Sequence, residues 1–143
     1  MILVGTYHHQ VDEKGRFRIP VKFKKAFEKR DEDGDYLPLF IMKGTNKCLF
    51  VYTEETAEKL FFSKFDGVDF TSEDGNSDIR NFTANAMWAE RDPQGRIGIS
   101  EELLKFAGIQ KGIVSVGVYN HVEIWGEEEW QKYGNGGAST PKE

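Results

Sequence analysis

Asp12-Glu13-Lys14-Gly15-Arg16-Phe17-Arg18-Ile19-Pro20 returns later in the chain as Asp92-Pro93-Gln94-Gly95-Arg96-Ile97-Gly98-Ile99-Ser100. Both stretches read Asp-x-x-Gly-Arg-apolar-x-Ile, and both hand over to a short amphipathic segment. A second pair follows in the same order: Gly44-Thr-Asn-Lys-Cys-Leu-Phe-Val-Tyr52 is answered by Gly117-Val-Tyr-Asn-His-Val-Glu-Ile-Trp125. The first pair is 80 residues apart and the second 73, so seven extra residues sit inside the first copy, most naturally in Glu28–Pro38. Two copies are too few for a solenoid and predict a paired, pseudo-symmetric domain.

At 143 residues the chain is the size of one ordinary domain or of two small interleaved halves. Hydrophobic content of 38% beside 30% charged residues predicts a soluble globular protein. No apolar run nears the roughly 20 residues that a membrane span needs. The start Met1-Ile-Leu-Val-Gly-Thr-Tyr7 lacks the basic region and long apolar core of a signal peptide. The single cysteine, Cys48, cannot form an internal disulfide, which fits a reducing cytoplasm; its apolar neighbours make it a small core hydrophobe. The net charge of −5 argues against a polyanion partner, but it is unevenly spread. Residues 1–30 carry eight Lys/Arg against three acids, a balance of +5 that leaves −10 for the rest. Such asymmetry suggests a localised anion-facing surface, and it is equally the composition of a solvated lysine-rich helix face.

Leu3–Val11 reads as a strand, Asp12–Gly15 as a turn, and Arg16–Ile19 as the returning strand of a β-hairpin. Period two places Phe17 and Ile19 on one face and Arg16 and Arg18 on the other, with Lys14 beside them in the turn. Pro20 opens a helix whose Phe23, Ala26 and Phe27 form the buried stripe, while Lys22, Lys25 and Lys29 face outward. After a polar loop over Arg30–Asp35, Leu37–Met42 and Cys48–Tyr52 form a second hairpin. Thr53 caps a helix running to about Phe65, and the acidic, glycine-containing Asp66–Asp78 is expected to connect the copies. The second copy repeats the order: strand Ala84–Glu90, turn Asp92–Gly95, strand Arg96–Ile99, and a helix capped by Ser100 with Leu103, Leu104 and Ala107 inside. The hairpin Ile113–Tyr119 with Val122–Trp125 comes next. Gly126 then opens a last helix with Trp130 and Tyr133 on its inner face. Gly134–Glu143 reads as a disordered tail. Strands this short cannot close a core within one copy, so the copies are expected to share a sheet and a core in a mainly β protein with short helices, of the α+β class.

The paired Asp-x-x-x-Arg turns followed by Ile-Pro or Ile-Ser, the start Gly5-Thr-Tyr7, and Val116-Gly-Val-Tyr-Asn-His-Val-Glu-Ile-Trp125 together resemble the MraZ family over roughly Met1 to Tyr133. The resemblance implies an intramolecular pseudo-dimer of two swapped-hairpin, AbrB-like βαβ modules forming a double-psi-like β-barrel. The modules would be 1–65 and 80–133, joined by a connector at 66–79 and followed by the tail 134–143. It also implies a cytoplasmic, nucleoid-associated DNA-binding regulator that assembles into rings. Such a regulator binds direct repeats upstream of the cell division and cell wall gene cluster and represses it. No cofactor, metal or membrane partner is implied.

The resemblance carries the DNA-contacting arginines to Arg16 and Arg96 and the aspartates to Asp12 and Asp92. The chemistry is independent of it: a guanidinium at a turn presents a planar fork that matches phosphate oxygens or the O6/N7 edge of guanine. Lys14, Arg18 and Lys22 would add phosphate contacts from the first copy, and Gln94 would accompany Arg96 in the second. Asp12, Gly15, Asp92 and Gly95 would brace the turns, since a carboxylate facing phosphate is repelled. Because Arg18 and Lys22 become Gly98 and Glu102 in the second copy, the two turns are not expected to contribute equally. Phe61, Phe62, Phe65 and Phe70 are candidates for a subunit interface or for the core.

Two other classes remain in view. Against an enzyme, His8 and His9 are adjacent on a strand and point to opposite faces, His121 takes the place of Cys48 in the repeat, and no nucleophile elbow or phosphate loop is present. A protein-interaction module of antitoxin type is the other, since the acidic surface of residues 31–143 could face a protein.

Overall fold

The computed structural model describes residues 2–134, so the expected tail lies, apart from Gly134, outside the described residues. The first copy folds as β1 (Thr6–Gln10), β2 (Arg16–Phe17), α1 (Val21–Phe27), β3 (Leu39–Lys43), β4 (Leu49–Thr53) and α2 (Glu54–Lys64). A further helix, α3 (Glu73–Thr83), precedes the second copy: β5 (Met87–Ala89), β6 (Ile97–Gly98), α4 (Glu101–Phe106), β7 (Gly112–Val118), β8 (His121–Gly126) and α5 (Glu127–Glu129), which runs on into a π-helical turn, Trp130–Gly134.

All sheet pairings are antiparallel. Six strands lie in the order β1-β7-β8-β4-β3-β5, while β2 and β6 pair with each other in a separate two-stranded ribbon. The order is unchanged when equivalent strands of the two copies are exchanged. Each copy's first strand pairs with the other copy's third (β1 with β7, β5 with β3), and the two fourth strands, β4 and β8, meet at the centre. This corrects the expected first hairpin. β1 and β2 flank one turn but do not pair; β2 is pulled across to β6, with Arg16 opposite Gly98 and Phe17 opposite Ile97. Alternation along a strand fixes which face is buried and says nothing about which strand lies beside it. No barrel closes among the described residues, because β1 and β5 stand as the two edges of the sheet and the two-residue β2 and β6 are too short to bridge them.

The pairing follows from burial. One face of the sheet and the β2/β6 ribbon enclose a core drawn from both copies: Phe17, Phe23, Phe27, Ile41, Leu49 and Val51 meet Ile97, Ile99, Leu103, Ala107, Ile113 and Ile124. Helices α1 and α4 supply Phe23 and Leu103, both essentially without exposure. Tyr7 of β1 packs edge-on to Phe23, 5.0 Å between ring centroids. On the opposite face, Phe40, Met42 and Tyr52 pack under α2, and Trp125 meets Trp130 of the π-helical turn.

Caps are where the sequence places them. Thr53 Oγ1 accepts from Thr56 N–H and Ser100 Oγ from Leu103 N–H, each at 3.2 Å. The stretch expected as a connector instead contains the start of α3, which Ser72 caps by accepting from Gly75 N–H at 3.0 Å. Tyr133, expected on an inner face, is 54% exposed because the widened last turn rotates it outward. Of the four phenylalanines proposed for an interface or the core, Phe65 is buried, Phe61 half-buried, and Phe62 and Phe70 exposed.

Phe17 joins the ribbon to the core of both copies and is 2% exposed. Phe17→Ala should cost about 3–5 kcal/mol, the usual penalty for truncating a buried phenylalanine. Urea unfolding measures this; a loss under about 1 kcal/mol would mean that the ribbon does not anchor the core.

Candidate nucleic-acid interface

Each Asp-x-x-Gly-Arg stretch builds one compact turn from its own backbone. Asp12 Oδ1 accepts from the N–H of Lys14 at 2.9 Å and of Arg16 at 3.0 Å, while Gly15 N–H donates to the Asp12 carbonyl at 3.0 Å. The second turn repeats this: Asp92 Oδ1 accepts from Gln94 at 2.9 Å and Arg96 at 2.8 Å, and Gly95 N–H donates to the Asp92 carbonyl at 2.8 Å. Gly15 and Gly95 take φ of +76° and +81°, left-handed values that strain any side chain. Asp is the residue whose short carboxylate reaches the backbone two residues on.

The second carboxylate oxygen holds the arginine. Asp12 Oδ2 accepts from Arg16 Nε, and Asp92 Oδ2 from Arg96 Nε, each at 2.7 Å. Because β2 pairs with β6, the two turns lie side by side and each arginine also reaches the other copy's aspartate. Arg16 Nη1 lies 3.8 Å from Asp92 Oδ2, and Arg96 Nη1 lies 3.9 Å from Asp12 Oδ2. The four side chains form a charge-neutral quartet, 24–33% exposed. Partly exposed ion pairs contribute little stability each. What the quartet fixes is direction: both guanidinium groups are committed through Nε, and neither Nη2 has a protein acceptor among the described residues. Those N–H groups are available to an outside acceptor.

The remaining predicted residues divide. Lys14 and Gln94 are exposed at equivalent places in the two turns. Arg18 joins them, donating through Nη1 to the Gln94 carbonyl at 2.7 Å across the two copies. Lys22 stands apart, exposed at the start of α1, with no hydrogen bond to the cluster. Asp12, Gly15, Asp92 and Gly95 are all structural parts of the turns.

Two features escaped the sequence reading. The loop over Arg30–Asp35 is a third turn of the same design: Asp31 Oδ1 accepts from Asp33 and Asp35 N–H at 2.9 Å, Gly34 N–H donates to the Asp31 carbonyl at 3.1 Å, and Gly34 has φ +86°. Its signal, Asp31-Glu-Asp-Gly34, was present in the sequence, with Asp35 where the other two turns carry arginine. The second is Arg91, whose Nη2 donates to the Phe27 carbonyl. No local pattern announces it.

Other chemistry-bearing residues are placed differently. His8 is exposed and His9 turns the other way to bond Ser115 Oγ through Nε2 at 2.6 Å. Burial, and then the neighbouring His8, hold His9 below its ordinary value. Cys48 is fully buried, and burial raises its thiol well above its ordinary value. Among the described residues no group of three His, Cys, Asp or Glu is arranged to hold a metal, and no helix is long and apolar enough to cross a membrane.

The family model "MraZ protein, putative antitoxin-like" matches residues 2–74 and 82–141. Proteins named "Transcriptional regulator MraZ" are similar along nearly the whole chain. That of Carboxydothermus hydrogenoformans is 35% identical, the alignment covering 99% of this chain and 93% of the relative. That of Thermoanaerobacter pseudethanolicus is 40% identical over 94% and 87%, and that of Acetivibrio thermocellus 36% identical over 90% and 84%.

Both turn aspartates are held below their ordinary value of 3.8, first by the backbone N–H of Arg16 or Arg96 and against partial desolvation, then by the arginine side chains. A lowered carboxylate stabilises the fold fully above the unfolded-state value, and this contribution is lost as pH falls through the lowered one. Carbon-detected NMR titration should therefore place both carboxyl midpoints below 3.8. Midpoints at or above that value would contradict the turn geometry.

Proposed function

The chain belongs to the MraZ family, and on that premise we propose that it is a sequence-specific DNA-binding transcriptional regulator acting through its paired Asp–Arg turns. The observation that carries this reading is that two motifs 80 residues apart meet in one quartet, with the Nη2 groups of both arginines left without a protein acceptor among the described residues. A loop that merely stabilised itself would need its own aspartate and arginine but not the other copy's.

In this reading Arg16 and Arg96 reach base edges or phosphates of the major groove from the β2/β6 ribbon, while Lys14, Arg18, Lys22 and Gln94 add backbone contacts. Asp12, Gly15, Asp92 and Gly95 hold the arginines without touching DNA. The copies correspond to swapped-hairpin, AbrB-like modules at 1–65 and 80–133 with 66–79 between them, which the exchange-symmetric strand order supports. The barrel implied by the resemblance is not part of the proposal, since the sheet has two free edges.

One quartet offers few contacts, so useful affinity requires several subunits on repeated sites. A homo-oligomeric ring meets that need. Its support is the apolar surface around an open recess of about 220 Å³ lined by Phe40, Ala57, Phe61, Phe62 and Trp88, beside the free edge of β5. Phe62 is 75% and Trp88 51% exposed. The target is direct repeats upstream of the chain's own coding region, in the cell division and cell wall gene cluster, with repression as the output and the cytoplasmic nucleoid as the place of action. An antitoxin-type module has less support, because the quartet would then have no task.

Gel retardation with DNA from upstream of the coding region tests the reading. Wild-type protein should bind with an affinity that falls steeply as salt rises, as counterion release requires. Arg16→Ala should lose specific binding, at about 1–3 kcal/mol per base contact compounded over subunits, with the oligomer intact by light scattering. An Arg16→Ala protein that still binds at normal affinity would remove Arg16 from the interface.

A further inference from the structure

The second turn has a different foundation from the first. In the first copy the residue before the aspartate is Val11, which is buried in the shared core and donates its N–H to the Lys111 carbonyl at 2.9 Å. In the second copy that place belongs to Arg91. A guanidinium cannot enter the core, so the second turn lacks the apolar anchor that fixes the first.

The seven-residue insertion supplies another anchor. Tyr36, at the end of the third turn, lies between two guanidinium groups: Arg30 Cζ is 3.9 Å and Arg91 Cζ 4.3 Å from its ring centroid. Each of these arginines immediately precedes the aspartate of a turn, Asp31 and Asp92. The ring thus stacks the third turn on the second through favourable cation–π contacts. Arg91 is pinned at both ends. Its backbone bridges Ile97, just past the second turn, and its side chain donates to the carbonyl of Phe27, the last residue of α1, where a cation also suits the helix dipole. Tyr36 is held in turn: its backbone bridges Arg30, its hydroxyl donates to Glu28 Oε2 at 3.2 Å, and Leu37 N–H donates to the Lys29 carbonyl at 2.8 Å. A narrow recess lined by Arg18, Tyr36, Arg91, Gln94 and Gly95 places this stack directly against the second turn.

We propose that Arg91 and Tyr36 are positioning residues for the second turn, and that the insertion exists in the first copy to hold Asp92–Arg96 of the second in register with Asp12–Arg16. Arg91 touches no DNA in this arrangement; it acts through Asp92 and Arg96. The use made of that register, matching two guanidinium groups to one DNA site, rests on the DNA-binding reading above.

Amide hydrogen exchange on the full chain tests the positioning without DNA. The N–H groups of Gln94 and Arg96 donate to Asp92, and those of Lys14 and Arg16 donate to Asp12 in the same way. The first turn is therefore an internal control. In Arg91→Met, exchange at Gln94 and Arg96 should quicken by about tenfold or more, while Lys14 and Arg16 stay near wild type. Tyr36→Ala should do the same, and Tyr36→Phe, which keeps the ring, should restore protection. Should Arg91→Met fail to fold, the two Tyr36 variants decide alone. Equal acceleration in both turns would reduce Arg91 and Tyr36 to general stability and overturn the proposal, as would no acceleration in either. Retardation by the wild-type protein reports separately on DNA binding, so a chain that ignores DNA yet shows the exchange pattern would refute that reading and leave the positioning intact.

Discussion

Two residues of β2 against two of β6 form the contact on which everything else depends. It is the smallest strand pair among the described residues, and it joins one copy to the other. Neither copy can bury Phe17 or Ile97 alone, because each residue needs the helix and sheet face contributed partly by the other. Hydrophobic burial thus forces the ribbon together. Once it forms, Asp12, Arg16, Asp92 and Arg96 have no choice but to meet. The geometry of the quartet is a by-product of core formation, which holds four partly exposed charges that would contribute little stability by themselves.

The symmetry is then broken on one side. The first copy carries Arg18, Lys22 and a lysine-rich α1, whereas the second carries Gly98 and Glu102 at the matching places. The insertion adds a third turn with the same hydrogen bonds but no arginine, stacked on Arg91 through Tyr36. Both additions gather beside the second turn: Arg18 and Lys24 share a recess with Tyr36, Arg91 and Gln94, and Asp31 and Asp35 line the neighbouring one with Asp92 and Pro93. The surface around the quartet is thus unequal on its two sides, although the underlying strand order is close to two-fold.

Much of this was legible in the residues. The repeat located nearly every element, the caps Thr53 and Ser100 fell where the sequence put them, and the turn bonding follows from Asp and Gly at fixed offsets. Strand partnership was not legible, because alternation at Arg16–Ile19 fixes the buried face and leaves the neighbour open. Helix α3 was hidden by Gly75 and Asn76, poor helix formers. Gly75 is required by the turn that enters the helix, where a Cβ would fall 2.2 Å from the Asp69 carbonyl oxygen, and the Ser72 cap with Glu73 and Asp74 behind it starts the helix despite these residues. The third turn could have been read, since it repeats Asp-x-x-Gly. Arg91 could not, because its partners Phe27 and Tyr36 lie more than fifty residues away and only the fold brings them together.

In the proposed mode of action the two guanidinium groups of the quartet face one binding partner as a unit. Arginine Nε–Hε cross-peaks of the ¹⁵N-labelled protein, followed while a duplex from upstream of the coding region is added, test it most directly. The Arg16 and Arg96 signals should shift together and saturate at the same duplex concentration. A duplex that binds while both signals stay in place, or that moves them at different concentrations, would contradict it.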